Sequence, residues 1–244
     1  VSETKRLGIE VLAPDINKSY GSFEVEDKKI IFGLSGIKNV GNNLIEAIIK
    51  SREEGGTFVN FKNFLERVEE VDSRALNKKG IESLVKAGAF DSLGYTRSSL
   101  MAIFEKAINT VHDNNKINVT GQMNLLDMGE KQEETDIDMP DIDEYPKKIK
   151  LRLEKEVLGF YISEHPLSER SLALSNIVNF TTNYREELGE ENTLSLEGKF
   201  VTMAGIINNK KELTTKKRDL MAFASLEDMY GNIEMVIFPN TYRQ

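Results

Sequence analysis

At 244 residues the chain is long enough for one large domain or two modest ones, and 39% hydrophobic with 30% charged residues fits a globular protein rich in exposed helix. It holds no cysteine, no apolar run of membrane-spanning length and no secretory signal, which excludes disulfides and thiolate metal sites and leaves a cytoplasmic protein without a membrane partner as the expectation. The net charge of −8 is local: Glu130 to Glu144 carries −7, so the remaining residues carry −1 and a polyanionic partner is not excluded. The first residue is Val and the chain starts in a charged stretch, so a piece of a longer protein is expected.

Leu7 to Val11 reads as a short strand, Ala13 to Ser19 as a polar turn, and Lys29 to Leu34 as a second strand. Next comes Ile37-Lys38-Asn39-Val40-Gly41-Asn42. Leu44, Ile45, Ile48 and Ile49 then fall on one side of a 3.6-residue period, the mark of an amphipathic helix, and Gly55-Gly56 stops it. Asn39 and Gly41 are residue types that tolerate a positive φ, and Gly41 leaves its backbone open to close approach. Such a turn delivers the unpaired N–H groups of a helix start to solvent, where a phosphate is accommodated, with the Lys38 cation beside it. The pattern resembles the helix-hairpin-helix, a module that grips the DNA backbone without reading bases, with Asn39 in place of the usual first Gly. An ordinary helix after a glycine turn has the same short signature.

Residues 60–111 read as helical. Asn60 caps Phe61, Phe64, Leu65 and Val68; Asp72 is placed to cap a following helix with Ile81, Leu84 and Val85 inward, stopped by Gly88. Thr96 opens another with Leu100, Ile103, Phe104, Ala107, Ile108 and Val111. The aromatics are core residues; the bases at 74–79 read as a solvated face, with contact to DNA as the alternative. His112 to Thr120 has no pattern. Gln122-Met123-Asn124-Leu125-Leu126 then sets apolar residues in a polar stretch. It is either a short element packed back on the domain or a linear peptide whose Met123, Leu125 and Leu126 enter a partner's pockets while Gln122 bonds at the rim. Gln-apolar-x-Leu-apolar resembles the bacterial sliding-clamp-binding motif. The acidic tract after residue 130 reads as a solvated linker.

Pro146 opens a helix striped by Ile149, Leu153, Val157 and Phe160 and expected to end near Glu164-His165-Pro166. His165 has no ligand-spaced neighbour and is a structural turn residue. After a polar linker, residues 200–207, 220–226 and 232–238 read as three strands, the last two joined by a turn at Asp228 to Gly231. Lys210, Lys211, Lys216, Lys217 and Arg218 fall between the first two. The arrangement resembles the start of an oligonucleotide-binding (OB) barrel, whose first long loop contacts single strands; an ordinary hairpin with a soluble basic loop is the alternative.

The order of these parts resembles the C-terminal half of the bacterial replicative DNA polymerase III alpha subunit. So do the phrases Arg6-Leu7-Gly8-Ile9, Leu84-Val85-Lys86-Ala87-Gly88-Ala89-Phe90-Asp91 and Gly159-Phe160-Tyr161-Ile162-Ser163-Glu164-His165-Pro166-Leu167. The resemblance implies an α+β chain: the end of a fingers domain (1–28), a helical clamp-binding domain with the hairpin at about 30–55 (29–175), a linker (176–195) and a truncated OB-type barrel (196–244). It implies duplex binding through Lys38, Asn39, Val40, Gly41 and Asn42, binding of the beta sliding clamp through Gln122, Met123, Leu125 and Leu126, and single-stranded template contact through the five bases. The whole protein would be a DNA-directed DNA polymerase, whose Mg2+-holding palm aspartates lie upstream, so this segment is expected to hold no catalytic residue, metal or cofactor. A DNA-repair scaffold or ligase-like protein also combines hairpin and barrel modules, and a pure adaptor would bind clamp but not DNA.

Overall fold

The computed structural model describes Thr4 and residues 7–120, 137–184 and 197–244. The chain is α+β and divides into two compact units, one running to Glu164 and the other from His165 to Gln244.

The first unit opens with a small sheet. β1 (Val11–Leu12) pairs in parallel with β3 (Lys29–Ile31), and β2 (Glu24–Glu26) lies antiparallel on the other side of β3. The expected first strand is thus displaced: Leu7 and Gly8 form a turn, and Gly8 takes a φ of 69°, which no strand accommodates.

Four helices follow, each explained by its ends. α1 (Asn42–Gly55) starts at Gly41 and stops at Gly56. α2 (Phe61–Val71) is capped by the Asn60 side chain, which accepts the Asn63 N–H at 2.8 Å. α3 (Lys78–Ala87) is capped by Asn77, whose side chain accepts the Gly80 N–H at 2.7 Å, not by Asp72. Asp72 terminates α2 instead, and its carboxylate accepts the Arg74 N–H at 3.0 Å, turning the chain before α3 begins. α4 (Arg97–Thr120) begins after Thr96 and continues through the stretch that lacks apolar periodicity.

α5 (Lys147–Leu158) starts after Pro146 and ends at Gly159 in the left-handed region, earlier than the proline at 166 alone implies. Ahead of it, residues 137–146 pack against α4. The Ser98 and Ser99 hydroxyls donate to the carbonyls of Asp143 and Pro140 at 2.7 Å each. Glu144 accepts the Arg97 N–H at 3.1 Å, putting a carboxylate at the positive end of α4. This part of the acidic stretch is therefore a docked strap, not a solvated linker.

The core of the first unit is built on Phe32, Phe58, Phe61, Phe64 and Phe90 with the inward faces of α1 to α5. Phe90 meets Phe61 and Phe64 edge-to-face at centroid distances of 5.2 and 4.9 Å, pairs worth about 0.5–1.5 kcal/mol each beyond their burial. Arg97, almost wholly buried, ties the helices together: it bonds Asp91 at 2.8 Å, Glu154 at 3.1 Å and the Lys86 carbonyl at 3.1 Å. The second Glu154 oxygen accepts the Ser163 hydroxyl at 2.8 Å.

In the second unit, His165 accepts the Leu167 N–H at 3.2 Å through Nδ1, the turn role its sequence position gives it. A short helix, α6 (Ser171–Ser175), follows. β4 (Ile206–Thr214), β5 (Leu220–Glu227) and β6 (Asn232–Ile237) form an antiparallel sheet in that order, the arrangement of a partial OB-like barrel. α7 (Pro239–Tyr242) packs on β5. β4 lies one stretch later than the apolar run at 200–207 implies. A tight turn from Thr215 to Asp219, with the Thr215 N–H on the Asp219 carbonyl at 2.8 Å, fixes Thr214 opposite Leu220 and so sets the register; Phe200 is left fully exposed. Residues 176–184, read as linker, contribute to this unit. Phe180 is buried, and Thr182 donates its N–H and its hydroxyl to the two oxygens of Asp228, each at 2.6 Å.

Candidate nucleic-acid interface

The hairpin turn is anchored from below and open above. Ile37 and Val40 are buried, and between them Lys38 and Asn39 are exposed. Asn39 has a φ of 66°, the left-handed conformation that glycine or asparagine adopts at least cost. Its side-chain amide donates to Ser83 Oγ on α3 at 3.2 Å, and the Lys38 N–H donates to the Val157 carbonyl at the end of α5 at 2.9 Å. The turn is held by two helices distant in sequence.

Gly41 is the residue before α1. Its backbone is extended, with φ −82° and ψ 159°, and an added Cβ would meet nothing within 4 Å. The first helical bond runs from the Ile45 N–H to the Gly41 carbonyl, so the N–H groups of Asn42, Asn43 and Leu44 precede the helical ladder. No side chain caps this end and no acid lies in its first turn. Asn42 and Asn43 are exposed, and Lys38 adds a cation. A helix start of this kind has the chemistry to hold an anion.

A second helix start lies alongside. Gly80, in the first turn of α3, has no Cβ because one would come within 2.8 Å of the Leu44 side chain in the first turn of α1. The two helix N-termini are therefore adjacent. Lys79 is exposed beside the second, while Lys78 is engaged with Glu105 at 2.8 Å and Arg74 with Asp72 at 3.6 Å. The bases at 74–79 precede or open this second helix start. The readable signal was Asn77 three residues ahead of Gly80, a cap and a close-approach residue in one turn.

A model of the helix-hairpin-helix motif matches residues 8–100, which contain both helix starts. Curated relatives named DNA polymerase III subunit alpha match nearly the whole chain: 37% identity over 99% of it for that of Saccharopolyspora erythraea, 35% over all of it for Borreliella burgdorferi, and 35% over 99% for Thermus aquaticus. This chain is homologous to a segment of the DNA polymerase III alpha subunit. It spans about a fifth of the length of those relatives, 20%, 21% and 19% respectively.

The two other sets of expected site residues lie apart from the hairpin in sequence. Gln122, Met123, Leu125 and Leu126 lie outside the described residues. Of the basic residues, Lys210 and Lys211 belong to β4 rather than to a loop, and only Lys216, Lys217 and Arg218 occupy the turn. The first two differ in their surroundings. Lys210 sits over the Tyr242 ring at 4.7 Å and bonds Glu212 at 2.9 Å, and hydrogen bonds to Tyr242 and Glu212 hold its ammonium above the ordinary lysine range. Lys211 lies opposite Phe223 in the ladder, with Val236 on the far side of Phe223. Among the described residues no three His, Cys, Asp or Glu side chains gather as a metal site, and no helix is long and apolar enough to cross a membrane.

Proposed function

We propose that the chain is the part of a DNA polymerase III alpha subunit that holds duplex DNA and tethers the enzyme to its sliding clamp. The observation that carries the DNA half is the pair of adjacent helix starts, one behind Gly41 and one behind Asn77, with no acid in either first turn. Phosphates of the duplex bind at Lys38, Asn39, Val40, Gly41 and Asn42, and the contact is independent of base sequence. The clamp half rests on the residue pattern at Gln122, Met123, Leu125 and Leu126, where burial of each apolar side chain contributes roughly 1.5–3 kcal/mol before ordering costs. Lys211, Lys216, Lys217 and Arg218, with Lys210 in support, offer a single template strand a basic surface beside Phe223. Nucleotidyl transfer and its Mg2+ belong to other parts of the whole, cytoplasmic polymerase; this segment needs no cofactor and is inactive alone.

Two titrations test the proposal. The chain should bind a duplex of arbitrary sequence with an affinity that falls steeply with salt. Calorimetry should give clamp binding by the native chain and none by a Gln122→Ala, Leu125→Ala, Leu126→Ala variant. Equal clamp affinity for both would remove the clamp assignment, and salt-independent or absent duplex binding would remove the DNA assignment.

A further inference from the structure

We propose that Ser83 is a positioning residue for the hairpin: its hydroxyl latches Asn39 and thereby fixes the direction in which the N–H groups of Asn42 and Asn43 point. The inference rests on the duplex-binding reading above. Ser83 itself is inaccessible to any ligand, because it is 2% exposed and lies among Ile81, Leu84 and Val85 on the inward side of α3. A buried hydroxyl on an apolar helix face is costly without a partner, and here it accepts the Asn39 side-chain amide at 3.2 Å.

The geometry makes this bond the control point of the turn. Asn39 is the residue in the left-handed region, φ 66°, and so the pivot between the segment entering the turn and the helix leaving it. A glycine there would adopt the same backbone, but it would also sample others, because it lacks both a Cβ and a tether. Asparagine supplies the permitted conformation and, through Ser83, a fixed attachment to α3. The Lys38 N–H on the Val157 carbonyl holds the residue before the pivot, and Leu44 against Gly80 holds the first turn after it. Between those two points the Asn39–Ser83 bond holds the pivot side chain. Since α3 also carries the second helix start, the latch sets the spacing of the two anion-binding ends.

The test uses the whole chain with a fluorescein-labelled 30-base-pair duplex (length chosen as about three turns). Ser83→Ala and Asn39→Gly should each weaken binding about three- to tenfold, the worth of one neutral hydrogen bond, and the double variant should be no weaker than either single one. The slope of log affinity against log salt should drop by about 0.9, one phosphate contact, for each variant. A merely structural Ser83 would lower the melting temperature but leave affinity and slope untouched well below it. Native-state hydrogen exchange at Lys38 and Val40, whose N–H groups are bonded to the Val157 and Ile37 carbonyls, should be faster in Ser83→Ala, reporting a looser turn. If the native chain binds duplex and Ser83→Ala binds with the same affinity and slope, or the two substitutions act additively, the latch is refuted while the DNA reading stands. A native chain with no duplex affinity overturns both.

Discussion

Replacing Gly41 with valine separates the fold of the hairpin from its use. The site is already extended at φ −82° and ψ 159°, a conformation that suits a β-branched residue, and a Cβ there has nothing within 4 Å to collide with. Loss of glycine at the cap position costs up to about 1 kcal/mol, and the stiffer unfolded chain returns about 0.4–1 kcal/mol, so the melting temperature should hardly move. The ligand is affected differently. The isopropyl group stands beside the N–H groups of Asn42 and Asn43 and keeps a phosphate oxygen from reaching them. Hydrogen bonds to a charged partner are worth about 1.5–3 kcal/mol, so duplex affinity should fall about 10- to 150-fold. Fluorescence anisotropy at two salt concentrations reads both the affinity and a salt slope smaller by about 0.9. A folded Gly41→Val variant that binds duplex with native affinity and slope would refute the placement of phosphate at this helix start.

Three further outcomes are expected. Arg97→Ala strands the buried Glu154 carboxylate, which is 1% exposed, and should destabilise the first unit by about 3–5 kcal/mol; pairing Arg97→Met with Glu154→Leu should recover most of this in a denaturant melt. Glu144 is pushed up by burial, but the N–H groups of Arg97 and Tyr145 and the Lys150 ammonium outweigh that and hold its carboxyl below the ordinary glutamate range. Its contribution is therefore present above the unfolded-state value and lost as pH falls through the lower folded one, so Glu144→Gln should lower the neutral plateau of a stability–pH curve and flatten its acid limb, the two proteins converging at low pH. Neutralising Lys211, Lys216, Lys217 and Arg218 to Gln should weaken binding of labelled single-stranded DNA by the whole chain while its duplex affinity holds; unchanged single-strand binding would mark these side chains as ordinary surface.

What the sequence made legible were the features that local chemistry determines. The α1 stripe, the Asn60 cap, the Gly56 and Gly88 stops and the β5–β6 turn all depend on residues within a few positions of one another. The misplacements share a different cause. Asp72 and Asn77 are both good caps, and the choice between them was made by Gly80, which must meet Leu44 from another helix. β4 was set by the turn after it rather than by its own apolar run. α4 runs past its apolar stripe, and α5 stops at Gly159 before the proline signal. The segment at 137–146 was hidden by its own acidity, because charge alone gives no hint that hydroxyls of Ser98 and Ser99 await its carbonyls. Ser83 left one trace, a lone hydroxyl on an apolar helix face, with nothing in the sequence to say that its partner lay 44 residues earlier.

On the duplex-binding reading proposed above, a net charge of −8 is no obstacle to a polyanionic partner. Two adjacent helix starts each present the equivalent of roughly half a positive charge through backbone amides, independent of side-chain composition. That potential decays within a turn, so the acids elsewhere in the chain do not cancel it at contact distance, and salt screens them at longer range. The cost is geometric: amides act only if they point at the phosphate, whereas a lysine side chain can find it. A surface that relies on amides must therefore fix its turn, and the hairpin does so from three directions, through Val157, Gly80 and Ser83. Rigidity of the turn, rather than abundance of basic residues, is the property on which this mode of DNA holding depends.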